Sequence, residues 1–153
     1  MEIGERSIEC AVVLVLLLIL PAMRATAQES EITLFEPDGT AVAYVAMDDD
    51  MTIYSWSGKP LAYLESGSAG GGFNIYGFNG KHLGWFEDGV TRDHKGNGTC
   101  GIRDTVSAKL EPLKGLKQLK PLQSLTQLEP LRPIDSLKWS DTPCIVFLYE
   151  GAK

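Results

Sequence analysis

Few side chains in this sequence could perform acid–base chemistry. There are two histidines, His82 and His94, and Asp93 directly precedes the second of them. Each histidine lies beside a predicted turn, so we expect both to titrate at the surface and to be weak ligand-binding candidates. A nucleophilic triad needs a serine or cysteine in a rigid turn, and the chain has no G-x-S-x-G element. The sequence therefore favours a noncatalytic protein without a cofactor, and a hydrolase using Asp93 and His94 ranks last.

One stretch has the length of a calcium-binding loop. In the window from 93 to 104, Asp93, Asn97 and Asp104 are weak candidate ligands. Lys95, however, stands where the third-position oxygen ligand of an EF-hand belongs, and no predicted helix flanks the window. We therefore expect a glycine-rich turn here and no metal site.

Residues 1–27 are typical of a secretory signal peptide. Residues 11–20 are ten consecutive apolar side chains, too few to span a bilayer, and a small-x-small site follows at Ala25-Thr26-Ala27. We predict cleavage after Ala27 and export to the periplasm or the extracellular space. Because three acidic residues precede the apolar run where basic ones are usual, an uncleaved anchor stays an alternative.

The composition fits one globular domain. The chain has 153 residues, of which 44% are hydrophobic and 22% charged, and its net charge of −6 includes no basic stripe for nucleic acid. Cleavage of the leader would leave Cys100 and Cys144, which can pair in an oxidising compartment. Two buried thiols are an equally good interpretation.

Repeated β-hairpins are expected to position these residues. Asn79-Gly80 lies between two aromatic, β-prone runs, which is a strong signal for a hairpin with a type I′ turn. The pattern repeats around Gly39 and Gly58 and, in a weaker copy, around Gly96. Because an isolated hairpin is marginally stable in water, we predict that the copies, within residues 28–104, close around an axis and cover each other's apolar faces.

Aromatic residues recur at matched positions in these repeats. They stand four residues before or five residues after the first three turn glycines, and the residue four after each of these glycines is small. The alternation predicts a crowded inner face and aromatic packing on the outer face. The same rings could instead form a ligand-binding surface. The weak candidates for that role are Tyr54, Tyr63, Tyr76 and Trp85.

A period of three governs the segment 105–138. Ten apolar positions recur at every third residue from Leu110 to Leu137, and three nine-residue units, EPLKGLKQL, KPLQSLTQL and EPLRPIDSL, run from Glu111. The prolines exclude a continuous α-helix, whereas polyproline II, with three residues per turn, places all ten side chains on one edge. Because such a row should not face water, we predict that the segment wraps around the β-domain with its apolar edge on the protein.

Residues 139–153 are expected to form a short helix that caps the same domain. Asp141 or Thr142 would be the N-cap, Pro143 the first helical residue and Gly151 the stop. The β-branched and aromatic run Cys144–Tyr149 could form a strand instead.

These stretches resemble the 4-fold beta flower family of bacterial proteins. The resemblance lies in Ile53-Tyr54 with Gly58-Lys59-Pro60, in IYGFNGKHLGWFEDG from 75 to 89, in Asp93-His94, in the Lys/Glu-Pro-Leu units and in Trp139-Ser140-Asp141-Thr142-Pro143. It covers nearly all of the chain after residue 27 and implies four β units around a pseudo-fourfold axis, with no assigned activity and no catalytic residues. A looser likeness to membrane-occupation repeats is confined to residues 79–84.

The sequence thus favours an exported, noncatalytic domain that binds a small molecule or a cell-envelope partner. The main alternative is a structural envelope protein that docks a partner through the Leu/Pro edge. No membrane span is expected after cleavage of the leader.

Overall fold

The computed structural model describes residues 30–67 and 71–152, so the predicted signal peptide lies outside the described residues. Each strand pairs antiparallel with the next one along the chain, and the last strand pairs with the first, which closes an eight-stranded barrel. The strands are β1 (Glu31–Phe35), β2 (Ala41–Ala46), β3 (Thr52–Ser55), β4 (Pro60–Ser66), β5 (Phe73–Gly77), β6 (His82–Glu87), β7 (Val90–Arg92) and β8 (Gly98–Gly101). The mainly β fold predicted from the sequence is confirmed.

The four loops that connect β1 to β2, β3 to β4, β5 to β6 and β7 to β8 have one common geometry. In the second loop, the Gly58 N–H donates to the Ser55 carbonyl at 2.9 Å and the Ser55 N–H donates to the Lys59 carbonyl at 2.8 Å. The corresponding pairs of bonds form in the other three loops, and the four loop glycines have φ between 80° and 87°. The strand register shifts just before each loop. This is a type I turn followed by a glycine bulge.

The predicted type I′ turn at Asn79-Gly80 is therefore wrong. A type I′ turn needs a positive φ at both central residues, whereas here Gly80 has a φ of 80° and Asn79 does not have a positive φ. The three-residue loop absorbs one more residue than the predicted two-residue turn, so the glycine alone adopts the left-handed conformation.

The two faces of the barrel wall differ as the alternation of residue sizes predicts. The small residues Ala43 and Ala62 lie inside, in one cluster with aliphatic side chains such as Ile53 and Ile75. The aromatic rings form separate clusters, one around Tyr44 and Tyr54 and one around Tyr63, Tyr76 and Phe78. The interior therefore holds the aliphatic core, and the aromatic residues pack on the other face of the wall.

A short helix, α1 (Cys144–Tyr149), closes the barrel at the end where the four hairpin loops lie. Its side chains Phe147 and Leu148 belong to the same core cluster as the strands. The 3₁₀ turn Glu150–Ala152 follows, and the Asn79 N–H of the third loop donates to the Gly151 carbonyl. The short C-terminal helix is confirmed and the strand alternative is wrong, although Gly151 does not end the helical region but lies within the 3₁₀ turn.

The helix is capped by a residue from the first hairpin. The Glu36 carboxylate accepts hydrogen bonds from the Cys144 N–H at 2.8 Å and from the Ile145 N–H at 3.1 Å. The N-cap residue is Pro143, and the helix begins at Cys144, so the predicted N-caps Asp141 and Thr142 and the prediction of Pro143 as the first helical residue are wrong. A carboxylate reaches the free N–H groups from across the fold and also has the charge that a helix start favours.

A disulfide joins Cys100 of β8 to Cys144 at the start of α1, with 5.0 Å between their Cα atoms. It links the last strand of the barrel directly to the helix that closes it. Of the two interpretations that the sequence leaves open, the structure shows the pair and not two separate thiols.

Candidate functional site

The segment from Lys109 to Lys138, called the belt from here on, passes around the outside of the four hairpin loops. Residues 108–136 form neither helix nor strand. Four backbone N–H groups, spaced nine residues apart, donate to the carbonyls of the four loop glycines at 2.8 to 2.9 Å. These bonds join Lys109 to Gly39, Gln118 to Gly58, Gln127 to Gly80 and Ser136 to Gly96. One nine-residue unit of the sequence therefore corresponds to one hairpin of the barrel.

The loop glycines are needed for this contact as well as for the turn. A Cβ added at Gly58 would lie 2.0 Å from the Leu116 carbonyl oxygen. A Cβ added at any of the other three loop glycines would lie 1.9 to 2.4 Å from a carbonyl oxygen of the belt or of Ser107, just before it. Any side chain at these positions would therefore push the belt away from the loop.

A second set of contacts fixes the belt through its charged side chains. Belt residues form ion pairs with the barrel wall and with the loops at both of its ends. The pairs are Lys109 with Asp38, Glu111 with Arg103, Lys114 and Lys117 with Glu31, Lys120 with Asp49 and Asp50, Arg132 with Glu87, and Asp135 with Arg92. The charged edge of the belt thus faces the protein.

Two belt lysines also cover the aromatic cluster between the first two hairpins. The Lys114 ammonium lies 4.6 Å from the centre of the Tyr44 ring, and that of Lys117 lies 5.5 Å from the centre of the Tyr54 ring. Cations over aromatic faces are stabilising, more so when they are shielded from water. Burial and a 2.6 Å hydrogen bond to Asp49 raise the pKa of Tyr54 to about 12, so the tyrosine stays protonated.

The apolar edge of the belt faces away from the protein. Its ten side chains, called the leucine edge, are each 91% to 103% exposed. They are Leu110, Leu113, Leu116, Leu119, Leu122, Leu125, Leu128, Leu131, Ile134 and Leu137. The prediction that this edge lies on the barrel is wrong. The segment does contact the barrel, but its backbone and charged side chains make the contacts, which leaves the leucine edge outside.

The aromatic candidates predicted from the sequence are brought together in pairs between neighbouring hairpins, and they are buried. Tyr44 pairs with Tyr54 across β2 and β3, and Tyr63 pairs with Tyr76 across β4 and β5. The ring centres are 5.6 Å and 6.2 Å apart. Tyr54, Tyr63, Tyr76 and Trp85 are all buried, so they are packing residues and present no ring face to a ligand.

The two histidines meet between the third and fourth hairpins. His82 Nδ1 lies 2.9 Å from His94 Nε2, and His82 Nε2 lies 3.1 Å from Asn74 Oδ1. Because an amide oxygen only accepts, His82 donates from Nε2 and accepts at Nδ1 from His94. The belt contacts this pair as well, because the backbone N–H of His82 donates a hydrogen bond to Gln127 Oε1 at 3.0 Å.

The expectation that His82 titrates at the surface is wrong. Its residue is 2% exposed, and burial, together with the neighbouring His94, lowers the pKa of His82 to about 4. Burial also lowers the pKa of His94. Both rings are therefore neutral near pH 7. The hydrogen bonds fix the orientation of both neutral rings, so the pair has a structural role.

Asp93 and the other predicted metal ligands have local roles. Asp93 Oδ1 accepts hydrogen bonds from the Lys95 N–H at 2.9 Å and the Asn97 N–H at 3.0 Å, so this carboxylate closes its own hairpin loop. Asp104 lies exposed in the turn that follows β8. Within residues 30–67 and 71–152, no group of three or more His, Cys, Asp or Glu side chains is arranged to hold a metal ion.

Two concave regions lie on the surface of the described residues, and belt residues line only the second of them. One cavity of about 280 Å³ lies between the fourth loop and α1 and is lined by His94, Lys95, Asp141, Phe147 and Glu150 among others. The other, of about 570 Å³, lies beside β1, where that strand pairs with β8 only through Phe35 and Gly101.

The comparison with known families covers most of the described residues. The model of the family described as 4-fold beta flower protein matches residues 32–148. The chain belongs to the 4-fold beta flower family. The comparison with curated proteins returned no match, and neither did the comparison with solved structures. The matched region of this beta flower protein includes the four hairpin loops, the whole belt and most of α1.

No helix in the described part of this beta flower protein is long and apolar enough to cross a membrane. Its most unusual surface is the leucine edge. The period of three in the sequence identifies the residues of this edge, but it does not show whether they face the barrel or the solvent. The signal for the direction is the charged residue that directly follows eight of the ten members of the leucine edge, because ion pairs with the barrel turn the apolar edge outward.

Proposed function

We propose that the protein is an exported, noncatalytic interaction domain that docks an apolar partner through the leucine edge. The observation that supports this most directly is the exposure of ten apolar side chains, each at least 91%, on a backbone fixed to the barrel. Monomeric proteins rarely leave ten apolar side chains in water along one edge, and exposed apolar surface of this extent generally marks a binding site.

The fold itself gives no reason for leucine at these positions. The hydrogen bonds of the belt come from backbone groups, and its ion pairs come from other residues. In this proposal the belt has a polyproline II conformation, which sets the leucines about 9 Å apart on one edge, and the four hairpins form the pseudo-fourfold frame that carries it. The barrel is then a rigid support, and the leucine edge is the surface that acts.

Two observations support export. The apolar run 11–20 followed by Ala25-Thr26-Ala27 is typical of a cleaved leader, and the pairing of Cys100 with Cys144 suits an oxidising compartment.

Binding of a small molecule by the aromatic residues receives less support. The rings that would form such a surface are buried against each other, and the belt lysines cover the pair Tyr44 and Tyr54. The centre of the barrel is filled by the aliphatic core and closed by α1.

The test compares a belt variant with a control variant. The belt variant replaces alternate members of the leucine edge by glutamine: Leu113→Gln, Leu119→Gln, Leu125→Gln and Leu131→Gln. The control variant, Met47→Gln with Val146→Gln, removes apolar side chains that are 41% and 51% exposed elsewhere on the surface. Binding of anilinonaphthalene sulfonate and retention on a hydrophobic column are measured for all three proteins, together with the unfolding temperature.

We expect the belt variant to lose dye binding and column retention while its unfolding temperature stays within a few degrees of that of the wild type. The control variant should retain both properties. A belt variant that still binds the dye fully, or that unfolds as readily as a core mutant, would show that the leucines are covered within the chain, and the proposed function would then be wrong.

A further inference from the structure

We infer that the occupant of the leucine edge is the surface of a lipid bilayer, into which the side chains insert. This inference rests on the proposed function, because it requires the leucine edge to be a docking surface. It goes further by naming hydrocarbon, and not a second protein, as the partner.

The first argument is the shape of the edge. Each of its side chains is more than nine-tenths exposed, so no leucine packs against the next one or against a neighbouring apolar group. The edge is a row of separate apolar projections with no groove between them. A protein interface has a core packed as densely as a protein interior, which requires holes that match such projections. Fluid acyl chains close around isolated side chains without a matching shape.

The second argument is charge. The belt contains six basic and three acidic residues, and most of its charges are paired with barrel residues. Lys114 and Lys117 are paired with Glu31, and Lys120 is paired with Asp49 and Asp50. Insertion of the leucines therefore brings no row of unpaired charges to the apolar boundary, where each one would be costly. Binding should then depend on the leucines far more than on the charge of the lipid.

The third argument is where the preceding segment joins the domain. The described chain starts at Ser30, and Glu31 binds two lysines of the belt, so this start lies beside the belt. The apolar run 11–20 belongs to the 29 preceding residues. Nine residues lie between Leu20 and Ser30, and the ten steps from one to the other can span at most about 35 Å. A retained leader in a bilayer would therefore keep the belt close to that bilayer, and a leader cleaved after Ala27 would do so only until cleavage.

A second copy of the chain fits the edge less well. Two identical belts placed edge to edge would set leucine projections against leucine projections, with the prolines and glutamines between them in contact with no apolar partner. Self-association is accordingly an alternative outcome of the experiment and not the expected one.

The experiment is vesicle flotation with the chain from Gln28, which contains the whole described domain without the predicted leader. The vesicles are phosphatidylcholine alone and an equimolar mixture of phosphatidylcholine and phosphatidylglycerol, at low and at high salt. The belt variant and the control variant defined above are compared with the wild type, and sedimentation velocity measures self-association in the absence of lipid.

We expect the wild type and the control variant to float with both kinds of vesicle and at both salt concentrations. The belt variant should bind at least about 100-fold more weakly, because the burial of each leucine corresponds to about a factor of ten or more in partitioning. Leucines that are only partly buried at the bilayer surface contribute less than a factor of ten each to the partitioning. Four substitutions together should still give a measurable loss of binding.

Three results would overturn the lipid inference. A wild type that binds dye through its leucines but does not float with vesicles has a protein partner, and the proposed function survives. A wild type that sediments as an oligomer, with the belt variant monomeric, uses the edge to bind a second copy. Binding that needs phosphatidylglycerol, disappears at high salt and is equal in the belt variant is electrostatic and independent of the leucine edge.

Discussion

Leucine has opposite surroundings in the barrel and in the belt. Leu61 in β4 is 0% exposed, whereas Leu122 in the belt is 94% exposed. In the barrel, apolar side chains fill the interior and the backbone bonds to neighbouring strands. In the belt, the backbone and the charged side chains bond to the barrel and the apolar side chains point away. A segment can therefore be fixed to a fold by its polar groups alone, which leaves its apolar residues available for another surface.

The largest expected effect contrasts these two leucines directly. Leu61→Ala should lower the free energy of unfolding by about 2 to 5 kcal/mol, because it removes buried methyl groups and leaves a cavity. Leu122→Ala should change it by less than about 0.5 kcal/mol, because that side chain is 94% exposed to solvent. Urea unfolding followed by tryptophan fluorescence measures both values. Equal losses in the two variants would mean that the leucine edge folds back onto the protein in solution.

The next effect concerns the buried histidine that the belt covers. The pKa of His82 is about 4 in the folded chain and about 6.5 in the unfolded chain. Between these values the unfolded chain binds a proton that the folded chain does not, so stability falls as the pH decreases from 6.5 to 4. The loss attributable to His82 should reach at most about 3 kcal/mol. It is measured as the difference in pH dependence between the wild type and His82→Gln.

His82→Gln keeps a polar side chain at this position but cannot take up the proton, so its stability should vary less between pH 7.5 and pH 4.5. Carboxylates contribute the same pH dependence to both proteins, and subtraction removes their effect. Parallel curves for the two proteins would show that His82 is accessible to protons in the folded state, which its burial contradicts.

The smallest effect is expected for one ionic attachment of the belt. Lys120→Met removes the ion pairs with Asp49 and Asp50 and should cost about 1 kcal/mol or less, since the pairs are partly exposed to water. Lys95→Met is the matched control, because the Lys95 side chain lies in a hairpin loop and forms no ion pair among the described residues. The difference between the two variants should decrease at high salt. A loss several times larger would show that single charges, and not the backbone bonds to the loop glycines, hold the belt.

The sequence predicts the hairpins well because their signals are local. Asn79-Gly80 and the corresponding glycines mark each loop within a few residues of the strands that they connect. The sequence does not determine the turn type at Asn79-Gly80, because these two residues fit both a two-residue type I′ turn and a three-residue loop with a glycine bulge. The sequence also shows the period of three and the three nine-residue units, and each unit supplies the N–H that bonds to one of the last three hairpin loops, while Lys109, just before the first unit, bonds to the first loop.

The direction of the leucine edge could not be predicted, because it depends on partners far away in the chain. Lys114 binds Glu31 across 83 positions, and Lys120 binds Asp49 across 71. The backbone N–H of His82 likewise bonds to the Gln127 side chain, 45 residues further on. A periodic apolar row indicates that one edge is uniform, but only the position of the ion-pair partners decides which edge meets the barrel.

The closing helix follows all eight strands and the belt in the chain, yet it supplies Phe147 and Leu148 to the core that those strands share. Its first N–H groups are held by Glu36, from the first hairpin to be synthesised. During translation, the barrel therefore lacks its closing helix and two of its core side chains until residue 148 has been synthesised. The core of the molecule can therefore be completed only when almost the whole chain has been synthesised.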